Sequence, residues 1–214
     1  MSIGCRRFRW FGLIVLAATG ALLAGCSNNE APSTLPQTTV APAPGTTTAT
    51  TSKTYVGTVS GTDAFVSVVV DGSRAMGYVC DGVPGTSPTP PTIQVWFNGP
   101  SDGTTVDVSQ PAGRLQLDLT ATTMTGTLTL ADGRTATVNG TAVTGDAGLY
   151  RAASGGAVAG WILTPNAEQR GGFGLDGGGG VGLPALTLTQ TTINFRNLSN
   201  TRIAKVGITP IPIP

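Results

Sequence analysis

Leu115-Gln116-Leu117-Asp118-Leu119-Thr120 and Met124-Thr125-Gly126-Thr127-Leu128-Thr129-Leu130 decide the fold. Each run sets an apolar or small residue at every second position, with a polar one between. Successive β side chains point to opposite faces, so this period of two describes a strand with one dry face and one wet face. On a helix of about 3.6 residues per turn the same leucines would scatter around the axis.

Outward from these runs the pattern persists. Val66, Val68 and Val70 lie in a more continuous apolar stretch, Ala64–Val70, as expected of a strand covered on both faces. Asp71-Gly72 separates it from Arg74–Cys80, and Asp132-Gly133 separates Thr125–Leu130 from Arg134–Val138. Both dipeptides are hairpin signals. Further strands are expected at Tyr55–Val59, Ile93–Phe97, Leu149–Ala152, Val158–Leu163, Leu186–Thr189 and Ile193–Phe195. Short strands at roughly ten-residue spacing predict an all-β domain over residues 53–208, an antiparallel meander forming a barrel or a sandwich. Val83–Pro91 holds four prolines and reads as a loop. Gly171–Gly182 holds eight glycines and reads as a mobile loop, because ordering glycine costs the most backbone entropy. Residues 209–214, with Pro210, Pro212 and Pro214, form a proline-rich tail.

The chain before residue 53 follows other rules. Arg6, Arg7 and Arg9 precede an apolar run from Trp10 to Leu23, which ends in small residues ahead of Cys26. As a helix the run is ~21 Å long, short of the ~30 Å of a bilayer core. Residues 1–25 are therefore read as a signal peptide. Leu23-Ala24-Gly25-Cys26 resembles the lipobox of bacterial lipoproteins. The resemblance implies cleavage between Gly25 and Cys26, lipidation of Cys26 with acyl chains such as palmitate, and anchoring at the outer face of the cytoplasmic membrane. Residues 26–52 then read as a flexible tether, with Pro32, Pro36, Pro42 and Pro44 favouring extended backbone and Thr46–Ser52 offering nothing to a core. The threonine cluster resembles the O-mannosylated linkers of actinobacterial lipoproteins, and an unmodified linker fits it equally.

Within the β region, Tyr55-Val56-Gly57, Ala64-Phe65-Val66, Tyr78-Val79-Cys80-Asp81-Gly82, Gly148-Leu149-Tyr150-Arg151-Ala152 and Gly160-Trp161-Ile162 resemble segments of uncharacterised actinobacterial, especially mycobacterial, lipoproteins. The resemblance covers about residues 53–172. It implies a cell-envelope compartment and a fold, and no activity.

Composition narrows the chemistry. The chain has no histidine, which removes Ser-His-Asp and Cys-His nucleophile activation and imidazole metal sites. Without Arg6, Arg7 and Arg9, nine basic side chains face eleven acidic ones, so nothing in the charge favours a nucleic-acid partner. Cys5 leaves with the signal peptide and Cys26 is lipidated. That leaves Cys80, beside Asp81, as a small buried hydrophobe on a strand. Gly171-Gly172-Phe173-Gly174-Leu175-Asp176 fits the opening of a calcium-binding nonapeptide, but it occurs once and Gly178 stands where a large apolar residue belongs. No metal or cofactor is expected. Asp71, Asp81, Asp102, Asp132 and Asp146 fall at turns, where hairpin chemistry alone would put them. Trp96, Phe97, Tyr150 and Trp161 are expected to anchor the core.

The expectation is a membrane-anchored envelope lipoprotein, not an enzyme, whose β domain is a binding or structural module. Its partners are the membrane and an envelope protein, lipid or glycan. Two alternatives stand beside it: a carrier of lipid or another hydrophobic ligand in a barrel cavity, and a histidine-free carboxylate hydrolase of cell-wall glycan.

Overall fold

The computed structural model describes residues 52–175 and 180–207. The expected signal peptide, Cys26 and nearly all of the expected tether lie outside the described residues, as do Asp176 and residues 209–214. What is described is all-β. Strands β1 (Lys53–Val59), β2 (Phe65–Asp71), β3 (Arg74–Cys80), β4 (Gln94–Pro100), β5 (Thr105–Gln110), β6 (Gly113–Leu119), β7 (Thr123–Leu130) and β8 (Thr135–Val143) form one antiparallel sheet in the order β4-β3-β2-β1-β8-β7-β6-β5. The pairing of β1 with β8 joins two four-stranded meanders. The two ends of the sheet meet where Ser101 bridges Val106 and Gln110 Nε2 donates to the Asn98 carbonyl at 3.3 Å. The result is a nearly closed eight-stranded barrel.

The two runs that fix the fold supply β6 and β7. Leu115, Leu117, Leu119, Met124 and Leu128 point inward with Val66, Val68, Val79, Val95, Phe97 and Val138, and side chains fill the barrel. Tyr55 lies fully buried among them, its hydroxyl donating to the Thr120 carbonyl at 2.6 Å. The intervening polar residues, among them Gln116, Asp118, Thr125 and Thr137, face solvent. An apolar inside and a threonine-rich outside are the reverse of a membrane-spanning barrel, whose apolar band faces out.

Both Asp-Gly signals make hairpins. Asp71 pairs with Arg74, leaving a two-residue loop that opens with Gly72 at φ 58°, the first position of a type II′ turn. The β7–β8 turn is closed by Leu130 N–H donating to the Arg134 carbonyl at 2.8 Å, with Gly133 at φ 84° as the left-handed residue of a three-residue loop.

The outer wall of β1–β4 is covered by a second sheet in the order β11-β10-β9-β14, with β9 (Gly148–Ser154), β10 (Ala157–Leu163), β11 (Gln169–Leu175) and β14 (Ala204–Lys205). Val56, Phe65, Val69, Tyr78 and Cys80 meet Leu149, Ile162 and Val206 between the layers. This explains the continuous apolar sequence of β2, six of whose seven residues are buried. The far face of the second sheet carries Ala152, Ala159, Trp161 and Phe173. Leu183, Leu186 and the hairpin of β12 (Thr192–Phe195) and β13 (Leu198–Arg202) close over it.

Three sequence expectations are corrected. Gly171–Leu175 is not loop but most of β11, paired along its length with β10. Leu186–Thr189 is not a strand. The Gln169 side chain takes the place of a strand partner there, donating to the Leu186 carbonyl and accepting from the Leu186 N–H, each at 2.9 Å. The barrel strand β5 falls in a stretch where no strand was expected.

Candidate functional site

The layer between barrel and second sheet is apolar beneath β1 and β2 and turns polar toward β4. The change follows from one row of residues. Arg151, Gly160 and Gly172 lie side by side across β9, β10 and β11, on the face turned to the barrel. Opposite them the Trp96 indole stacks on Tyr78, with ring centroids 4.1 Å apart and planes 26° from parallel. A Cβ on Gly160 would stand 2.5 Å from Trp96 Cζ2, and one on Gly172 would stand 2.8 Å from Gln94 Oε1. The glycines let the sheet close down on the aromatic pair and the amide.

Arg151 is only 5% exposed, and its guanidinium carbon lies 5.7 Å from the centre of the Trp96 ring. Among the described residues the ion pairs are Arg114–Asp107 and Arg134–Asp132, and Arg170 donates to the Asp63 and Gln169 carbonyls. Arg151 makes no ion pair among the described residues. Burial alone pulls its pKa below the usual arginine value, and yet a guanidinium stays protonated in a protein. Gln94, Trp96 and Asn98 occupy successive outward positions of β4. All three residues are half-buried, but Gln94 Oε1, Trp96 Nε1 and Asn98 Oδ1 are each buried without a hydrogen-bond partner. A buried polar atom left unpaired costs about 1–3 kcal/mol, so such a concentration on one strand is unusual.

Cys80 and Tyr78 adjoin this row in β3. Burial pushes the Cys80 thiol from 9.0 to about 11, against the opposing pull of hydrogen bonds from Tyr78 and the Gly82 backbone. Burial also holds the Tyr78 phenol well above its usual 10.0, with the neighbouring Cys80 adding to the shift. The fold therefore favours both neutral forms. For an acid whose folded pKa is raised, the stabilisation is whole below the unfolded pKa and is lost as pH climbs through the folded one. Stability is accordingly expected to fall from about pH 9 toward pH 11. Cys80→Ala should flatten that alkaline decline in a urea midpoint series, and an unchanged slope would show that the thiol does not drive it. The native thiol should also react slowly with an alkylating reagent at pH 8 and quickly once unfolded.

The structure disperses the turn aspartates. Asp81 accepts from the N–H groups of Thr92 and Ile93 at 2.8 and 2.9 Å. Asp102 accepts from the N–H groups of Thr104 and Thr105 at 2.8 and 2.6 Å, bonds that bring its pKa down to about 2. Asp132 accepts from Arg134 N–H at 3.0 Å. No group of three acidic or cysteine side chains among the described residues could hold a metal ion. Of the four aromatics expected in the core, Phe97 and Trp161 are buried, whereas Trp96 and Tyr150 reach the surface. Sequence reasoning missed Arg151, Gln94 and Asn98. The available signal was an arginine in the middle of the apolar stretch Leu149–Ala152, since arginine is rarely buried without a partner.

No protein-family model, curated protein or solved structure matches this chain.

Proposed function

We propose that the chain is a lipid-anchored envelope protein whose β domain is a non-catalytic binding or structural module, with Cys26 as the attachment point. Support for the anchor is the sequence Leu23-Ala24-Gly25-Cys26 behind a basic start and an apolar run. The observation that carries the binding role is the set of buried polar atoms on β4, Gln94 Oε1, Trp96 Nε1 and Asn98 Oδ1, left without hydrogen-bond partners. Asp81, Asp102 and Asp132 favour the same reading, because their oxygens accept from backbone N–H groups. The carrier alternative draws no support from the barrel, whose interior is filled by its own side chains.

The test is direct. Single changes of Asp71, Asp81, Asp132 and Asp146 to Asn should leave binding of the purified protein to envelope material intact. Hydrolysis of cell-wall polymer, abolished by any one of these substitutions, would overturn the assignment in favour of a carboxylate hydrolase.

A further inference from the structure

We infer that the β12–β13 hairpin, through Arg196 and Arg202 with Leu188 at its base, is a docking surface for an anionic phospholipid bilayer. The inference rests on the lipid-anchor reading and adds a second contact with the same membrane.

Charge and exposure lead there. Between Gly180 and Gly207 the chain carries Arg196, Arg202 and Lys205 and no acidic residue. Lys205 is committed to the fold, its Nζ donating to the Gly145 carbonyl. Arg196 and Arg202 are exposed and form no ion pair among the described residues, unlike Arg114 and Arg134, which hold Asp107 and Asp132. Leu188 is 52% exposed in the turn before β12, closed by Gln190 N–H donating to the Thr187 carbonyl at 2.8 Å. Exposed cations beside an exposed apolar side chain suit a surface that lies against lipid headgroups. The guanidinium groups meet phosphate, and the leucine enters the interface. A soluble acidic polymer would match the arginines but has no use for the leucine.

The backbone points the same way. Arg196 opens the two-residue loop between the paired Phe195 and Leu198, at φ 49°. The two-residue loops of β2–β3 and β9–β10 place Gly72 and Gly155 at that position, at φ 58° and 56°. An arginine there sets its Cβ against the backbone, so the hairpin keeps this side chain at its tip against local preference. Ile203 N–H donates to the Thr191 carbonyl at 2.8 Å, which places Arg202 and the Leu188 turn at one end of the hairpin. Further along, the Gly207 carbonyl accepts from Ser52 Oγ. Arg202 is therefore no more than ~17 Å of extended chain from the point where the segment toward Cys26 leaves the domain. Each arginine near an anionic surface favours contact roughly fivefold. That is too little to hold a protein without its lipid, so docking acts on a domain the anchor already keeps at the membrane.

Labelling of the purified lipidated protein at single sites tests this. Asn197→Cys carries an environment-sensitive fluorophore beside Arg196, and Ala131→Cys carries it on the exposed β7–β8 turn, Cys80 being buried. The protein is reconstituted into vesicles of phosphatidylcholine alone or of phosphatidylcholine mixed with phosphatidylglycerol. The label beside Arg196 should shift to the blue only with phosphatidylglycerol, and high salt should abolish the shift. The label on the β7–β8 turn should not respond. Arg196→Gly and Arg202→Gln should each weaken the contact about fivefold, and Arg134→Gln should leave it unchanged. Arg196→Gly should also raise the unfolding midpoint by ~1–3 °C, because glycine relieves the positive φ. An arginine kept for stability would give the reverse. No lipid-dependent shift in the parent, or an equal one in the double variant, would overturn the docking surface. A shift with soluble dextran sulfate and none with vesicles would overturn it in favour of an acidic polymer. Intact mass reports acylation separately, so failure of the anchor and failure of the docking are told apart.

Discussion

Gly126→Val is expected to destroy the barrel's cooperative unfolding or to lower its stability by roughly 3–5 kcal/mol, the upper range for a single substitution. Gly126 faces inward from β7, between β6 and β8. A Cβ there would lie 2.0 Å from the Gln116 carbonyl oxygen and 2.8 Å from Leu117 Cα. Both obstacles are backbone of the adjacent strand, so no rotamer change relieves them; β6 itself has to shift. The barrel cannot open cheaply at this point, because β6 is held on its other side by β5 and its leucines are packed in the core. Gly57 and Gly140 mark a similar close approach on the other side of β8, where a Cβ on Gly57 would stand 2.1 Å from the Asn139 carbonyl oxygen. Urea denaturation reads the effect. At ~1–3 kcal/mol per molar urea the midpoint should fall by more than about 1 M. Thr125→Val, one residue away on the solvent face, should stay within about 0.5 kcal/mol of the parent. A loss below about 1 kcal/mol for Gly126→Val would mean that the strands separate more easily than their packing implies.

The second large effect is on location. Cys26→Ala should release the protein from the membrane fraction almost completely and leave its mass without acyl chains. Each buried methylene contributes ~0.8 kcal/mol, so two or more chains hold a protein stably, whereas a single chain exchanges. The described β domain has no apolar outer band to compensate, since its exposed wall is threonine-rich and its other wall is covered by the second sheet. Fractionation with mass measurement distinguishes the outcomes. A variant that still sediments with membrane and shows no change in mass would remove the lipid anchor from consideration.

Local sequence by itself determined that this domain is built of antiparallel strands, and where most of them lie. The alternation in β6 and β7, the continuous apolar run of β2 and the Asp-Gly turns are each contained within a dozen residues, so period and turn chemistry suffice to read them. What escaped reading depends on partners far along the chain. The pairing of β1 with β8, which makes a barrel and not a sandwich, joins Tyr55 to Ala142. The Gly171–Leu175 stretch of β11 resembled a loop because glycine carries no side chain to display an alternation. Gly171 lets β11 lie close to the Gly160 backbone of β10, and Gly172 lets it lie close to Gln94. Leu186–Thr189 has a strand-like composition, yet the Gln169 amide supplies the hydrogen bonds a neighbouring strand would have made. Arg151 shows the same division. Its sequence neighbours announce a strand, but only the packing of the second sheet on the barrel buries Arg151 beside Trp96. Burial is a property of two surfaces meeting, and a single strand's sequence carries only one of them.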